Sequence, residues 1–126
     1  MAKNANEWFV QSEYDLATAK AMRTGGRNFY AVFMCHMAVE KALKAVLFQN
    51  KKEVPPKTHN LLWLLKSAGL QAPETIGEFI SKLSEANTAT RYPYELKELI
   101  SLYNDAVTDD IIKKTEAALT WIKTTR

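Results

Sequence analysis

The fold is decided by residues Asn28–Gln49, NFYAVFMCHMAVEKALKAVLFQ. This stretch lacks Gly and Pro and consists mostly of strong helix formers, so it predicts one long helix. Its helical wheel has two neighbouring apolar stripes, which are Val32, Cys35, Val39, Ala42 and Val46, and beside them Phe29, Phe33, Leu43 and Leu47. A helix that is apolar on most sides packs against several neighbours, so we expect it at the centre of the fold.

Three polar residues interrupt the apolar surface of this helix. His36 and Glu40 lie four residues apart inside the second stripe, and Lys44 follows four residues later near its edge. A Glu that precedes a Lys by four residues is the favoured ion pair of a helix. Because an unpaired buried charge is costly, all three side chains need partners, and the identity of those partners is the main functional question.

Length and composition narrow the class of protein. A chain of 126 residues predicts one domain with a core of its own, and the net charge of +3 permits contact with phosphate without requiring it. Cys35 is the single cysteine, so an intramolecular disulfide is excluded and a core position in a reducing cytoplasm is expected. We find no signal peptide and no run of about 18 apolar residues, and therefore expect a cytoplasmic protein without membrane contact.

Two helical segments flank the central one. A first helix from Ala5 to Arg23 places Asp15 near the middle of its inward stripe, and Gly25-Gly26 ends it. After the central helix, a polar loop with two prolines leads to a third helix, HNLLWLLKSAG, residues 59–69. Thr58 is the predicted cap of this third helix.

The rest of the chain lacks the alternation of apolar and polar residues that is typical of strands. Pro73 opens a fourth helix that fades near Ala89, and Pro93 predicts a loop at 91–93 followed by a short helical turn over 95–102. The last helix is predicted to start at Thr108. The sequence therefore predicts an all-α fold, a four-to-five-helix up-and-down bundle formed as one domain by residues 1–126.

Most catalytic signatures are absent from the chain. It has no Gly-rich phosphate loop and no G-x-S-x-G elbow, and two histidines with one cysteine do not form a zinc framework, so no metal site is expected. Cys35 and His59 would be a possible nucleophile and base, but the apolar surroundings of Cys35 argue against this pairing.

A set of polar residues at unusual positions remains, namely Asp15, His36, Glu40, Lys44, His59, Arg91 and Tyr92. The first interpretation is a structural network, in which Asp15 satisfies Lys44 or Arg91 and the helix register is fixed. The second is a polar pocket between helices, where bundles often bind ligands. Arg91 suits a phosphate because its guanidinium bonds two oxygens, and His59 near a helix N-terminus would lie beside an anion. Chemistry alone favours the structural interpretation.

The outward side of the central helix is also partly apolar. Lys41 lies roughly opposite the apolar stripes and is expected in solvent. Tyr30, Met34, Met37 and Phe48 share that side. Ordinary packing explains such residues most simply, while a dimer interface is the alternative.

The residues Phe33–Ala45, FMCHMAVEKALKA, resemble the hallmark helix of HEPN domains, the higher-eukaryote and prokaryote nucleotide-binding helical bundles. The order of the flanking segments is also similar, with Trp8 and Asp15 before this helix, Thr58-His59-Asn60-Leu61 after it, and then Arg91-Tyr92-Pro93. The resemblance implies an up-and-down bundle that forms homodimers.

The resemblance also implies a range of functions. Small prokaryotic members are often encoded beside a minimal nucleotidyltransferase and are thought to form a toxin–antitoxin-like pair with it, and nucleotide binding is proposed for the family. Other branches are RNA-cleaving toxins that carry an Arg followed four to six residues later by a His. This chain lacks that spacing after Arg23, Arg27 and Arg91.

Three hypotheses follow. The leading one is a binding module that accepts a nucleotide, or a partner's nucleotide-bearing site, in a cleft lined by His36, Glu40, Lys44, His59, Arg91 and Tyr92. The second is a metal-independent ribonuclease with His36 or His59 as acid–base and Arg91 on the phosphate. The third is an interaction subunit that binds a nucleotidyltransferase and has no ligand of its own.

Overall fold

The computed structural model describes residues 4–91 and 95–126, with side chains described for residues 4–86 and 95–126. Six helices and no strand occur in these ranges, namely α1 (Ala5–Thr24), α2 (Asn28–Lys51), α3 (Leu61–Ser67), α4 (Glu74–Arg91), α5 (Leu96–Leu102) and α6 (Asp105–Thr124). The predicted all-α bundle is thus confirmed, with the short helical turn present as α5. None of the helices in the described ranges combines the length and apolarity needed to cross a membrane.

The predicted central position of α2 is confirmed. It contacts each of the five other helices, and its two apolar stripes are buried apart from the half-buried Phe29 and Phe33. α1 and α2 form a hairpin closed at Gly25-Gly26, where Gly26 adopts a φ of 76° that favours glycine. α6 runs antiparallel to α1, since Arg23 Nε donates to Asp109 Oδ1 at 2.7 Å and Lys123 pairs with Glu13 at the opposite end.

Several helix boundaries differ from the sequence prediction because other residues act as caps. Asn60, not Thr58, caps α3, and its Oδ1 accepts from the backbone N of Trp63 at 3.0 Å. Asn104 caps α6 in the same way, so this helix begins three residues before Thr108. Both Asn and Thr are good caps, and in each case the Asn has the required extended backbone.

The fourth helix is longer than predicted. It continues to Arg91, two residues beyond Ala89, because Pro93 restricts only the residue immediately before it. The predicted loop at Arg91-Tyr92-Pro93 is therefore wrong for the Arg91 backbone. Tyr92 and Pro93 lie outside the described residues.

Cys35 is fully buried in the core, as predicted, and its chemistry depends on that burial. Desolvation raises the pKa of the thiol to about 11, from 9.0. The neutral thiol favours the folded state below pH 9, and this stabilisation is lost as the pH rises from 9 to 11. At pH 10.5 the loss relative to pH 8 is on the order of 2 kcal/mol.

We expect urea unfolding at pH 8 and pH 10.5 to show this loss in the wild type and not in Cys35→Ala, which serves as the control for all other titrating groups. Iodoacetamide at pH 8 should label the unfolded chain and leave the native chain unlabelled, because the thiolate is the nucleophile. Equal labelling of the two states would contradict the account.

Candidate functional site

Three of the sequence-predicted site residues meet at the carboxylate of a fourth, Glu40. Its Oε2 atom lies 3.0 Å from Lys44 Nζ, and its Oε1 atom lies 2.8 Å from His59 Nδ1. His36 Nδ1 is 3.6 Å from the same Oε1 atom, within ion-pair range. The two histidines, which lie on different segments of the chain, therefore converge on one buried carboxylate.

Local structure explains why these residues converge. His36, Glu40 and Lys44 follow one face of α2 at four-residue spacing. Lys52 ends α2 in the left-handed region with a φ of 55°, and the chain then turns back along the helix. Leu61, fully buried at the start of α3, anchors the end of this returning segment, so that His59 is held over Glu40.

The centre of the cluster is buried and electrically balanced. Glu40 and Lys44 are both buried, and a buried ion pair is tolerated when its charges satisfy each other. The ring of Trp8 on α1 lies 5.9 Å from Lys44 Nζ and adds a cation–π contact. These contacts form a network of the kind that the structural interpretation describes, and Glu40 is its centre.

His59 differs from the other three members because 45% of its side chain is exposed. His36 is fully buried, so its contacts are with the protein interior. Since Nδ1 of His59 faces the Glu40 carboxylate, a neutral ring carries its proton on Nδ1 and donates it to Oε1. In this tautomer Nε2 is the acceptor of the neutral ring.

Asp15 belongs to a second, separate pair. It is buried as predicted, but among the described side chains its partner is Lys41, whose Nζ lies 2.9 Å from Oδ2, and not Lys44. The expected solvated position of Lys41 is also wrong, since only 20% of its side chain is exposed. The physical reason is that helix side chains lean towards the N-terminus, so Lys41 reaches along the hairpin to Asp15.

The two remaining predicted ligand residues are not described in full. Arg91 ends α4, and its side chain, like Tyr92, lies outside the described residues. Within those residues, no group of three or more His, Cys, Asp and Glu side chains could hold a metal ion. The cluster around Glu40 thus consists of one buried ion pair, one buried imidazole and one exposed imidazole.

The sequence did not predict a groove at the opposite end of α2. This groove has a volume of about 290 Å³ and is lined by Arg27, Phe29 and Tyr30 at the start of α2 and by Leu96, Ile100 and Tyr103 around α5. The apolar pair Leu96 and Ile100, four residues apart, was the available signal. It could not be assigned a partner because the position of α5 depends on tertiary packing.

Removal of Lys44 tests whether the buried pair is coupled. We expect Lys44→Met to lower the free energy of unfolding by about 3 kcal/mol, because it leaves Glu40 buried beside an apolar group. The double variant Glu40→Gln/Lys44→Met should be more stable than Lys44→Met alone, since an amide costs less to bury. Denaturant unfolding measures the loss of stability in Lys44→Met, in Glu40→Gln and in the double variant. A loss in the double variant equal to the sum of the two single losses would contradict the coupling.

The comparisons with known proteins agree with this architecture. A sequence model of the HEPN domain family matches residues 5–125. Among solved structures, the chain is similar to ST0689, an archaeal HEPN homologue, with 27% identity, 98% of each chain covered and a TM-score of 0.78.

A second solved structure, TT1696 from Thermus thermophilus, has a similar fold. It is 22% identical, with 97% of this chain and 98% of that chain covered and a TM-score of 0.84. The search of curated proteins finds no match. Because the family model covers nearly the whole sequence, the chain belongs to the HEPN domain family.

Proposed function

We propose that this HEPN domain is a nucleotide-binding module in which His59 contacts the ligand. The observation that carries the proposal is an exposed imidazole held in place by a buried carboxylate. A side chain fixed in this way loses little further freedom when a ligand binds, which favours affinity. The other members of the cluster then have supporting roles.

The chemistry of the pair suits a phosphate or a ribose hydroxyl. The neutral ring accepts a hydrogen bond at Nε2, and the protonated ring donates one to a phosphate oxygen. Glu40 holds the ring through Oε1, and Lys44 balances the charge of the buried carboxylate at Oε2. Because Lys44 and His36 are buried, we assign them to the support of Glu40, and we retain Arg91 and Tyr92 as proposed ligand contacts.

A thermal-shift titration against a panel of nucleotides tests the proposal. A ligand that binds only the folded state raises Tm as its concentration grows. We expect a saturable rise for the wild type, and a loss of about tenfold or more in affinity for His59→Ala and Arg91→Ala. Arg27→Ala is the control, since Arg27 lines the other groove. A rise that Arg27→Ala abolishes and His59→Ala preserves would contradict the proposed site.

We also propose that the domain acts as a cytoplasmic homodimer beside a nucleotidyltransferase, in a toxin–antitoxin-like pair. The apolar side chains of Leu96 and Ile100 on α5 are exposed and line the groove at the start of α2, and Leu102 on the same helix is also exposed. A surface of this kind supports contact with a second copy. The single buried thiol, Cys35, suits a reducing compartment.

Light scattering tests the dimer. We expect a dimer for the wild type, a monomer for Ile100→Glu, because a charge at the interface is costly to bury, and a dimer for the control Val54→Glu, which changes an equally exposed residue elsewhere. A wild type that stays monomeric at the same concentrations would contradict the proposal.

The same His59–Glu40 pair favours a second candidate, a metal-independent ribonuclease. A carboxylate that fixes the Nδ1 proton of an imidazole leaves Nε2 as a general base. Nε2 would take the proton of a ribose 2′-hydroxyl, the 2′-oxygen would attack the adjacent phosphorus, and the 5′-oxygen of the next nucleotide would leave with a proton from water.

Cleavage of an RNA pool in the presence of a chelator tests this activity. We expect His59→Ala to lower the rate by about 10²-fold or more, and 2′-deoxy substrates to resist cleavage. Glu40→Gln should lower kcat more than it changes KM, since it positions the base without touching the substrate. A wild type that leaves RNA intact would reject this candidate and leave the binding module unaffected.

A further inference from the structure

The net charge of the chain is concentrated in one segment. Residues 51–66 contain four lysines and one acidic residue, which leaves thirteen basic and thirteen acidic residues in the rest of the sequence. This segment therefore carries the whole net charge of +3. Its lysines, Lys51, Lys52, Lys57 and Lys66, are all exposed. A local excess of positive charge attracts polyanions.

A large aromatic side chain lies within the same segment. Trp63 on α3 is 46% exposed, although tryptophan is among the more buried residue types on average. It lines a groove of about 150 Å³ together with Lys51, Pro55 and Pro56. Exposed aromatic rings beside lysines are typical of surfaces that bind single-stranded nucleic acid, in which bases stack on rings and cations contact phosphates.

α3 is held firmly against the core, so the exposure of Trp63 does not come from a loose helix. Leu61 and Leu64, on either side of Trp63, are fully buried. Asn50 Nδ2 donates to the carbonyl of Ala68 at 2.9 Å beyond the far end of α3, and His59 is bound to Glu40 before its near end. The indole and the exposed imidazole are therefore held on one fixed piece of structure, and the lysines lie before, between and after them in the sequence.

We propose that the surface formed by residues 51–66 binds single-stranded nucleic acid, with a base stacked on Trp63 and phosphates held by Lys51, Lys52 and Lys57. This inference rests on the proposed nucleotide site, because His59 precedes Trp63 by four residues and would contact the same strand. The inference extends the ligand of that site from a mononucleotide to a strand. An acidic protein segment is the competing ligand for this surface. It differs from a nucleic acid because it carries no bases to stack on Trp63.

The test is fluorescence anisotropy of a labelled oligonucleotide, about 10 nucleotides long, over a range of salt concentrations, with RNA and DNA in separate arms. We expect Lys51→Gln/Lys52→Gln to weaken binding about tenfold or more and to reduce the slope of log K against log salt by about 1.4, since about 0.7 is lost per phosphate contact. Lys113→Gln/Lys114→Gln is the matched control, because these exposed neighbours on α6 remove the same charge.

The variant Trp63→Leu measures the contribution of stacking to strand binding separately from the contribution of charge. We expect it to weaken strand binding by about 5- to 100-fold with the salt slope unchanged, and its Tm checks that the fold is kept. Equal losses for the two lysine pairs, or no loss for Trp63→Leu, would overturn the inference, as would a wild type that binds an acidic peptide and no oligonucleotide.

The same variants distinguish this inference from the proposed function. Mononucleotide binding that is lost in His59→Ala, combined with strand binding that is unchanged in Lys51→Gln/Lys52→Gln and in Trp63→Leu, would overturn this inference and leave the proposed function intact. Strand binding that needs those three residues, combined with no effect of His59→Ala on any nucleotide, would support the surface and contradict the proposed site.

Discussion

The main constraint on this fold is the burial of one carboxylate, that of Glu40 on the central helix. Glu40 can remain in the interior only if its charge is compensated, and Lys44 one turn later supplies that compensation at 3.0 Å. The second carboxylate oxygen binds His59, which lies beyond the loop that follows α2. One side chain thus contacts both the next turn of α2 and the segment that returns after it.

The four side chains of this cluster differ in their exposure to solvent, and this difference separates their roles. Glu40, Lys44 and His36 are buried and hold one another, while His59 alone of the four is presented to solvent. A scaffold network and a binding site are therefore not exclusive interpretations, because the buried members position the exposed one. The segment that carries His59 also carries the excess positive charge of the chain, and such an excess attracts anions.

The sequence predicted most of the fold, because the strongest signals were local and periodic. The apolar stripes of α2 placed it at the centre, and the position of His36, Glu40 and Lys44 in or beside them predicted that these polar side chains would be buried with partners. Caps were less certain because Thr58 and Asn60 are both suitable, and backbone geometry decides between them. Helical periodicity also could not show that Lys41 reaches Asp15, since that contact depends on how α1 crosses α2.

The contact between His59 and Glu40 joins residues nineteen apart in sequence and is the part of the site that periodicity could not supply. Nitrogen-15 NMR of the imidazole rings in the native protein measures it directly. We expect neutral His59 to carry its proton on Nδ1 and to leave Nε2 unprotonated, and we expect Glu40→Gln to abolish this preference. A ring protonated on Nε2, or a tautomer mixture that is the same in wild type and Glu40→Gln, would contradict the claim that Glu40 organises the site.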